Sequence, residues 1–310
     1  MHLVLSLPEA EASPWMELFA RAVPEATLAR HEPGETRNLA ARADYVIAAY
    51  PSKTLFIEQR TPKAVFTVSA GVGHVLRDMP RHLTLIRVED AGMAPQMVRY
   101  ALTAAMRFVQ RLDIYRMQQH ARQWEQHAPR NPAQITAGVM GLGVIGGAIA
   151  RALAAQGFVV RGYASTTKTI HGVACFAQRR NFTQFLDGLD LVVNVLPATA
   201  DTKGLLDRAA LMQLRDGAHV VNIGRGSVLV EDDLLALIDS GKLSGATLDV
   251  FSEEPLPPGH AFWSRPQITL TPHVAGLTVP DETVAQIADK IRALERGEAV
   301  SGVVDVERGY

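Results

Sequence analysis

The chain has 310 residues, a net charge of −1 and 47% hydrophobic residues, values that suit two globular domains and exclude a globally basic nucleic-acid binder. Its one cysteine, Cys175, excludes an internal disulfide framework and a cysteine zinc cluster. No metal is expected, and the reducing cytoplasm is the compartment that fits.

The chain opens MHLVLSLP, with no Lys or Arg ahead of an apolar run that Pro8 ends early. This pattern predicts a first strand, not a signal peptide. Pro14 to Ala22 reads as a helix with Trp15, Leu18, Phe19 and Ala22 on one face. Leu3–Leu7, Tyr45–Ala49, Ala64–Val68 and Leu83–Val88 read as buried strands. Such apolar strands alternating with helical stretches predict a parallel sheet covered on both faces, so residues 1–97 form a smaller α/β domain. After the third strand comes Ser69-Ala70-Gly71-Val72-Gly73-His74. Its glycines can expose successive backbone N–H groups to an anion such as a substrate carboxylate. A plain strand-to-helix turn is the other reading.

Ala94 to Gln126 is a long helical pattern, with Val98, Leu102, Ala105, Val109 and Leu112 along one face and Pro129 and Pro132 closing it. It carries Arg99, Arg107, Arg111, Arg116 and Arg122. Aromatic interleaving and clustered lysines are missing, so a solvated or subunit-facing surface is expected, not a nucleic-acid interface.

The stretch Ile135–Arg151, ITAGVMGLGVIGGAIAR, is an apolar run, then Gly141, Gly143 and Gly146 in G-x-G-x-x-G spacing, then an apolar helical run. The first glycine permits the tight turn, the second admits a pyrophosphate, and the third lets helix and strand pack closely. The helix N-terminus adds free N–H groups and partial positive charge. Asn131 to Ala150 has no charged residue, but its Asn131, Pro132, Gln134 and five glycines leave an apolar core too short for the ~20 residues of a membrane span.

Further apolar runs follow at Val159–Tyr163, Leu191–Leu196, His219–Gly224, Gly245–Phe251 and Gln267–Pro272, with a helix at Asp232–Ser240. This alternation predicts a doubly wound parallel sheet of the Rossmann dinucleotide-binding type. An NAD site places an acid after the second strand, to hold the ribose 2′-OH. Here that stretch is Ala164-Ser165-Thr166-Thr167-Lys168, without an acid. Hydroxyls and Lys168 suit a 2′-phosphate, so NADP(H) is expected over NAD(H), and a loop that accepts both is the alternative.

Ligands of such sheets bind outside the carboxyl ends of the strands. Arg225, Glu254 and His273 follow three different strands there. The set suits reduction of a ketone beside a carboxylate. Arg225 can bind the carboxylate with two parallel hydrogen bonds and polarise the carbonyl. His273 can donate the proton, and Glu254 can orient the imidazole. The hydride comes from the cofactor.

At GLGVIG (141–146), NVLPATADTKGLL (194–206), VNIGRGSVLVEDDLL (221–235), LDVFSEEPLP (248–257) and TPHVAG (271–276) the chain resembles the D-isomer-specific 2-hydroxyacid dehydrogenase family. The resemblance implies that Arg225, Glu254 and His273 are catalytic; the Glu-Pro pair selects Glu254 over Glu253. It implies a cofactor site of Gly141, Leu142, Gly143, Val144, Ile145, Gly146, the Ala164–Lys168 loop, Leu196, Pro197, Thr202, Ile223, Gly224, Ala275 and Asp249, the last near the nicotinamide amide. It implies substrate contacts from Tyr50, Ala70, Gly71, Val72 and Gly73 besides Arg225 and His273. Within the family the chain is similar to bacterial glyoxylate/hydroxypyruvate reductases of the A type. That implies a flavodoxin-like substrate domain from both chain ends (1–97 and 279–310), a dinucleotide-binding domain at 98–278, NADPH and a homodimer. Those reductases carry arginines where this chain has Ser165 and Thr167, and tend to have a tryptophan near Ala49-Tyr50. The expected activity is reduction of small 2-keto acids, with bulkier ones such as phenylpyruvate as the alternative. A non-catalytic NAD(H)-binding regulator is the alternative of another class.

Overall fold

The computed structural model describes residues 1–7, 9–31, 42–49, 51–69 and 71–307. The chain divides into two compact units, Met1–Met93 with Thr278–Tyr310, and Ala94–Leu277.

The first unit is built on a five-stranded parallel sheet: β1 (His2–Ser6), β2 (Thr27–His31), β3 (Tyr45–Ala48), β4 (Ala64–Thr67) and β5 (Leu85–Arg87), in the order β2-β1-β3-β4-β5. Helices α1 (Glu9–Ala22), α2 (Lys53–Glu58) and α3 (Gly73–Leu76) lie between the strands in sequence. Successive side chains of a strand face opposite ways. Leu3 and Leu5 therefore join Phe19, Ile47 and Phe66 in one core, while Val4 joins Val46, Val65 and Leu85 in another. A helix at Pro280–Glu295 closes the first core with Val284, Ile287 and Ile291. Lys290 Nζ on this helix donates to Arg87 O at 3.0 Å and Ser301 O at 2.9 Å, tying the chain end to the edge strand.

Two features of this unit differ from the sequence reading. The first helix begins at Glu9, not Pro14, because acids at Glu9 and Glu11 favour a helix start and Pro14 is carried inside the helix. The edge strand β2 was not foreseen: its TLARH sequence has little apolar character, and only His31 in it is buried.

The second unit begins with α4 (Met93–Val109) and α5 (Leu112–Ala121). The single helix expected over Ala94–Gln126 is broken at Arg111, at φ 56, and stops at Arg122, also at φ 56. Local backbone geometry thus overrides a periodicity that continues through the break. The buried stripe of α4 is Met97, Ala101, Ala104, Ala105, Phe108 and Val109, while Leu112 is exposed.

The seven-stranded parallel sheet follows: β6 (Thr136–Met140), β7 (Val159–Ala164), β8 (Val173–Ala177), β9 (Leu191–Asn194), β10 (Ala218–Asn222), β11 (Leu243–Leu248) and β12 (Ile268–Leu270). Helices α6 (Val144–Ala155), α7 (Phe182–Leu186), α8 (Arg208–Met212) and α9 (Glu231–Asp239) accompany it. The strand order is β12-β11-β10-β9-β6-β7-β8. The half-buried edge strand β8, VACFA, was not read from the sequence. Strands β9 and β10 are buried throughout, as expected for strands covered on both faces. Val192 and Val220 face one core, and Leu191, Val193 and Val221 the other. The order in which strands are added across the sheet reverses between β6 and β9. That switch point opens a crevice at the carboxyl ends of these strands, where the ligands of such sheets bind.

Candidate active site

The glycine turn leaves β6 at the switch point. Gly141 adopts φ +98, and a Cβ on Gly146 would lie 1.6 Å from Gly141 O, so only glycine lets α6 start this close to the strand. Gly143 instead faces open space, and no side chain caps the helix there. The first-turn N–H groups of α6 therefore point outward uncapped, which fits a pyrophosphate. Gly143 and Val144 are exposed, and Ile145 is half-buried. Leu142, Ile223 and Ala275 lie with their side chains in the core, so they can offer a ligand only backbone atoms. Leu196 is likewise buried, and Ala164 is the buried last residue of β7. Pro197 and Ser165–Lys168 are exposed.

Two residues expected to touch the cofactor are engaged within the protein. Thr202 Oγ1 donates to Pro197 O at 2.6 Å and accepts from Thr199 N at 2.8 Å, so it braces its own loop. Asp249 is 1% exposed, and its carboxylate is already spanned. Oδ1 accepts from Thr271 Oγ1 at 2.5 Å and Val274 N at 2.8 Å, and Oδ2 accepts from Ala275 N at 2.9 Å.

Those bonds fix the backbone around His273. Its φ of 55 lies in the left-handed region, which costs a non-glycine residue about 1–2 kcal/mol. His273 N donates to Asp249 O at 2.9 Å, so both the main chain and the side chain of Asp249 hold the strained turn. Tyr100 extends the brace from α4, its hydroxyl 2.6 Å from Thr271 Oγ1. Burial raises the pKa of that phenol, which keeps it a neutral donor, while the Thr271 bond acts in the opposite sense.

The imidazole meets Glu254: His273 Nδ1 and Glu254 Oε2 are 2.7 Å apart. The side chains are 45% and 36% exposed, and an ion pair that open is worth about 1 kcal/mol or less, so its value is orientational. Held at Nδ1, the ring turns Nε2 outward. Glu254 Oε1 accepts from Phe251 N at 2.9 Å, which fixes the carboxylate in turn. The Glu254–Pro255 peptide bond is cis.

Arg225 leaves the end of β10 half-buried, its Nη1 donating to Gly224 O at 2.6 Å. Burial of the guanidinium lowers its pKa and the charge of Glu254 opposes this, placing Arg225 within electrostatic reach of the dyad. A Cβ on Gly226 would lie 1.9 Å from Phe251 C, so glycine is required for the Arg225 loop to pack on the loop carrying Glu254. The structure thus gathers Arg225, Glu254 and His273 at one rim of the sheet.

Asn194 and Asn222 were missed by sequence reasoning. Both are 0% exposed at the ends of β9 and β10. Asn194 Nδ2 donates to Asn222 Oδ1 at 2.9 Å, and Asn194 Oδ1 accepts from Leu196 N at 3.1 Å. Asn222 Nδ2 donates to Arg225 O at 3.3 Å, linking the two loops beside the crevice. The available signal was an amide ending each apolar run, LVVN and HVVN, since a buried amide needs partners.

In the first unit, Tyr50 and Ala70 lie outside the described residues. Gly71, Val72 and Gly73 lead into α3, and their N–H groups have no acceptor among the described residues. Ser69 Oγ donates to Gly71 O at 2.7 Å and shapes the turn. Val72 is 5% exposed with its side chain in the core, so only its backbone can reach a ligand.

A dinucleotide sheet bearing an Arg, Glu and His set on one rim defines a class of nicotinamide-dependent oxidoreductase. Residues 102–275 match the model of the D-isomer specific 2-hydroxyacid dehydrogenase, NAD binding domain, and the chain belongs to that family. It is 38% identical over 317 aligned positions, covering all of both chains, to glyoxylate/hydroxypyruvate reductase A of Serratia proteamaculans. A D-isomer specific 2-hydroxyacid dehydrogenase from Xanthobacter autotrophicus, solved with NADPH and MES, superposes with a TM-score of 0.93 at 33% identity, covering 100% of this chain and 99% of that one. An NADPH-dependent glyoxylate/hydroxypyruvate reductase from Sinorhizobium meliloti, solved with NADP and sulfate, gives 0.88 at 30% identity with the same coverage. Among the described residues, no helix is long and apolar enough to cross a membrane and no group of His, Cys, Asp or Glu could hold a metal.

Proposed function

We propose that the protein is an NADPH-preferring reductase of small 2-keto acids, with glyoxylate and hydroxypyruvate as substrates and D-2-hydroxy acids as products. The observation that carries the reading is the His273 Nδ1 to Glu254 Oε2 contact of 2.7 Å at the rim that also bears Arg225, in a chain of this family. The first-turn N–H groups of α6 hold the pyrophosphate, and Ser165–Lys168 face the ribose 2′ position. Bound there, the nicotinamide supplies the hydride.

Arg225 takes the substrate carboxylate with its planar fork and polarises the neighbouring carbonyl. Glu254 holds His273 Nδ1, so Nε2 is turned outward to pass a proton to the forming alkoxide. Asp249 holds the His273 backbone in place. The N–H groups of Gly71, Val72 and Gly73, without an acceptor among the described residues, suit an anion such as a carboxylate, which supports reading the first unit as the substrate domain and the second as the dinucleotide domain. A cytoplasmic homodimer completes the reading, supported by the single cysteine and by the resemblance to the reductases; sedimentation at a monomer mass would overturn the dimer.

The test is loss of NADPH absorbance with a panel of 2-keto acids. Turnover fastest with glyoxylate or hydroxypyruvate is expected. Measurable NADPH binding without turnover of any 2-keto acid would reject the enzyme.

A further inference from the structure

On the dinucleotide reading, the loop after β7 offers the ribose 2′ position a single cation, Lys168, whereas a 2′-phosphate carries close to two negative charges at neutral pH. The register of the sheet brings two more cations to the same edge. Ala164, which ends β7, and Ala177, which ends β8, are Cα partners in parallel strands, and such strands run about 4.8 Å apart. Gln178 N donates to Ala164 O at 3.3 Å, so the two chains are still bonded where they leave the sheet.

Gln178 then turns the chain at φ 69 into the short turn Arg179–Asn181. Asn181 Nδ2 donates to Ala177 O at 2.7 Å and folds that turn back over the strand end. The Arg179 guanidinium sits 5.2 Å from the centre of the Phe182 ring. Burial raises the pKa of the Tyr163 phenol and the charge of Arg179 opposes it; both Tyr163, the last residue but one of β7, and Arg179 lie against the Phe182 ring. Lys168, Arg179 and Arg180 are all exposed, and among the described residues no carboxylate pairs with any of them. Open positive charge on one edge attracts a dianion.

We propose that Arg179 and Arg180, delivered from the end of β8, hold the 2′-phosphate of NADP together with Ser165, Thr167 and Lys168, and so set the preference for NADP over NAD. The proposal rests on the dinucleotide reading above. Arginine suits the task because its fork binds phosphate oxygens in pairs.

Binding is measured on the full chain by nicotinamide fluorescence with NADPH and NADH, and by calorimetry with 2′,5′-ADP and 5′-AMP. Arg180→Ser, which removes a side chain with no bonded partner among the described residues, is expected to weaken NADPH and 2′,5′-ADP about tenfold. The Arg179→Ser, Arg180→Ser double variant is expected to weaken both about fiftyfold, with NADH and 5′-AMP changed less than about twofold. Arg179→Lys keeps the charge but loses the paired hydrogen bonds, and is expected to retain more affinity than Arg179→Ser but less than the wild type. The wild-type preference for NADPH is expected to narrow as salt is raised. NADPH affinity unchanged in the double variant, or an equal loss for NADH, overturns the proposal. Failure of the wild-type chain to bind either dinucleotide would instead overturn the underlying dinucleotide reading.

Discussion

Two stretches of the same sheet rim are built on opposite plans. At the ends of β10, β11 and β12, nearly every group near His273 is bonded: Asp249 holds three partners, Glu254 holds Phe251 N, and Asn222 holds Arg225 O. At the ends of β7 and β8, Ser165–Lys168, Arg179 and Arg180 are exposed, and among the described residues no carboxylate pairs with the three cations. On the proposed reading, the first stretch handles atoms that must be placed to a fraction of an ångström for proton and hydride movement. The second would handle a phosphate, which open positive charge attracts without such precision. Precision is obtained from buried hydrogen bonds and affinity from open charge. Substitutions at the two rims should therefore fail in different ways.

The largest effect is expected at Arg225. Arg225→Ala removes both carboxylate anchor and carbonyl polariser, and kcat/KM should fall by about 10³–10⁴-fold, read from steady-state kinetics. His273→Ala should lower kcat by about 10³-fold while NADPH binding stays unchanged; an unaltered kcat would reject its role as acid. Asp249→Asn tests placement. It should lower kcat by about 10–100-fold with little change in the NADPH Kd, because the residue holds the His273 turn. A weakened Kd with normal kcat would return Asp249 to the nicotinamide amide. At the other rim the β8 arginine variants should leave the chemical step alone and change only the NADPH affinity.

A last effect concerns stability and leaves the chemistry untouched. His219 is buried against Phe108 and Thr247, and burial lowers its pKa to about 4; Asp113 acts in the opposite direction, while Arg107 and Arg130 add to the lowering. The unfolded chain takes up that proton near pH 6.5, where the folded chain does not. Stability from this group is thus full above pH 6.5 and is lost as pH falls toward 4, by at most about 1.4 kcal/mol per pH unit. Urea unfolding across that window should be steeper in pH for the wild type than for His219→Leu. Equal slopes would contradict the assignment.

The contrast between the rims also separates what could be read in the chain from what could not. Apolar runs such as LVVN and HVVN announced the central strands, and the glycine spacing announced the turn after β6, because both depend on local sequence. The edge strands β2 and β8 stayed hidden, since half-exposed strands lack a continuous apolar run. The break at Arg111 could not be seen, because a left-handed arginine leaves no mark in the hydrophobic period. Arg225, Glu254 and His273 were legible as strand-end charges, but their support was not. Asp249 reaches His273 from 24 residues away in sequence and bonds Ala275 across a separation of 26, which only the adjacency of β11 and β12 explains. Arg179 and Arg180 went unnoticed for the same reason as β8 itself.

The most direct measurement is isotope transfer. The chain is given hydroxypyruvate and NADPH deuterated on the transferable hydrogen, and the product is analysed by mass and by chirality. One deuterium on the carbinol carbon of D-glycerate is the expected result. Product without that deuterium, or of the L configuration, would contradict hydride transfer at the Arg225, Glu254 and His273 rim.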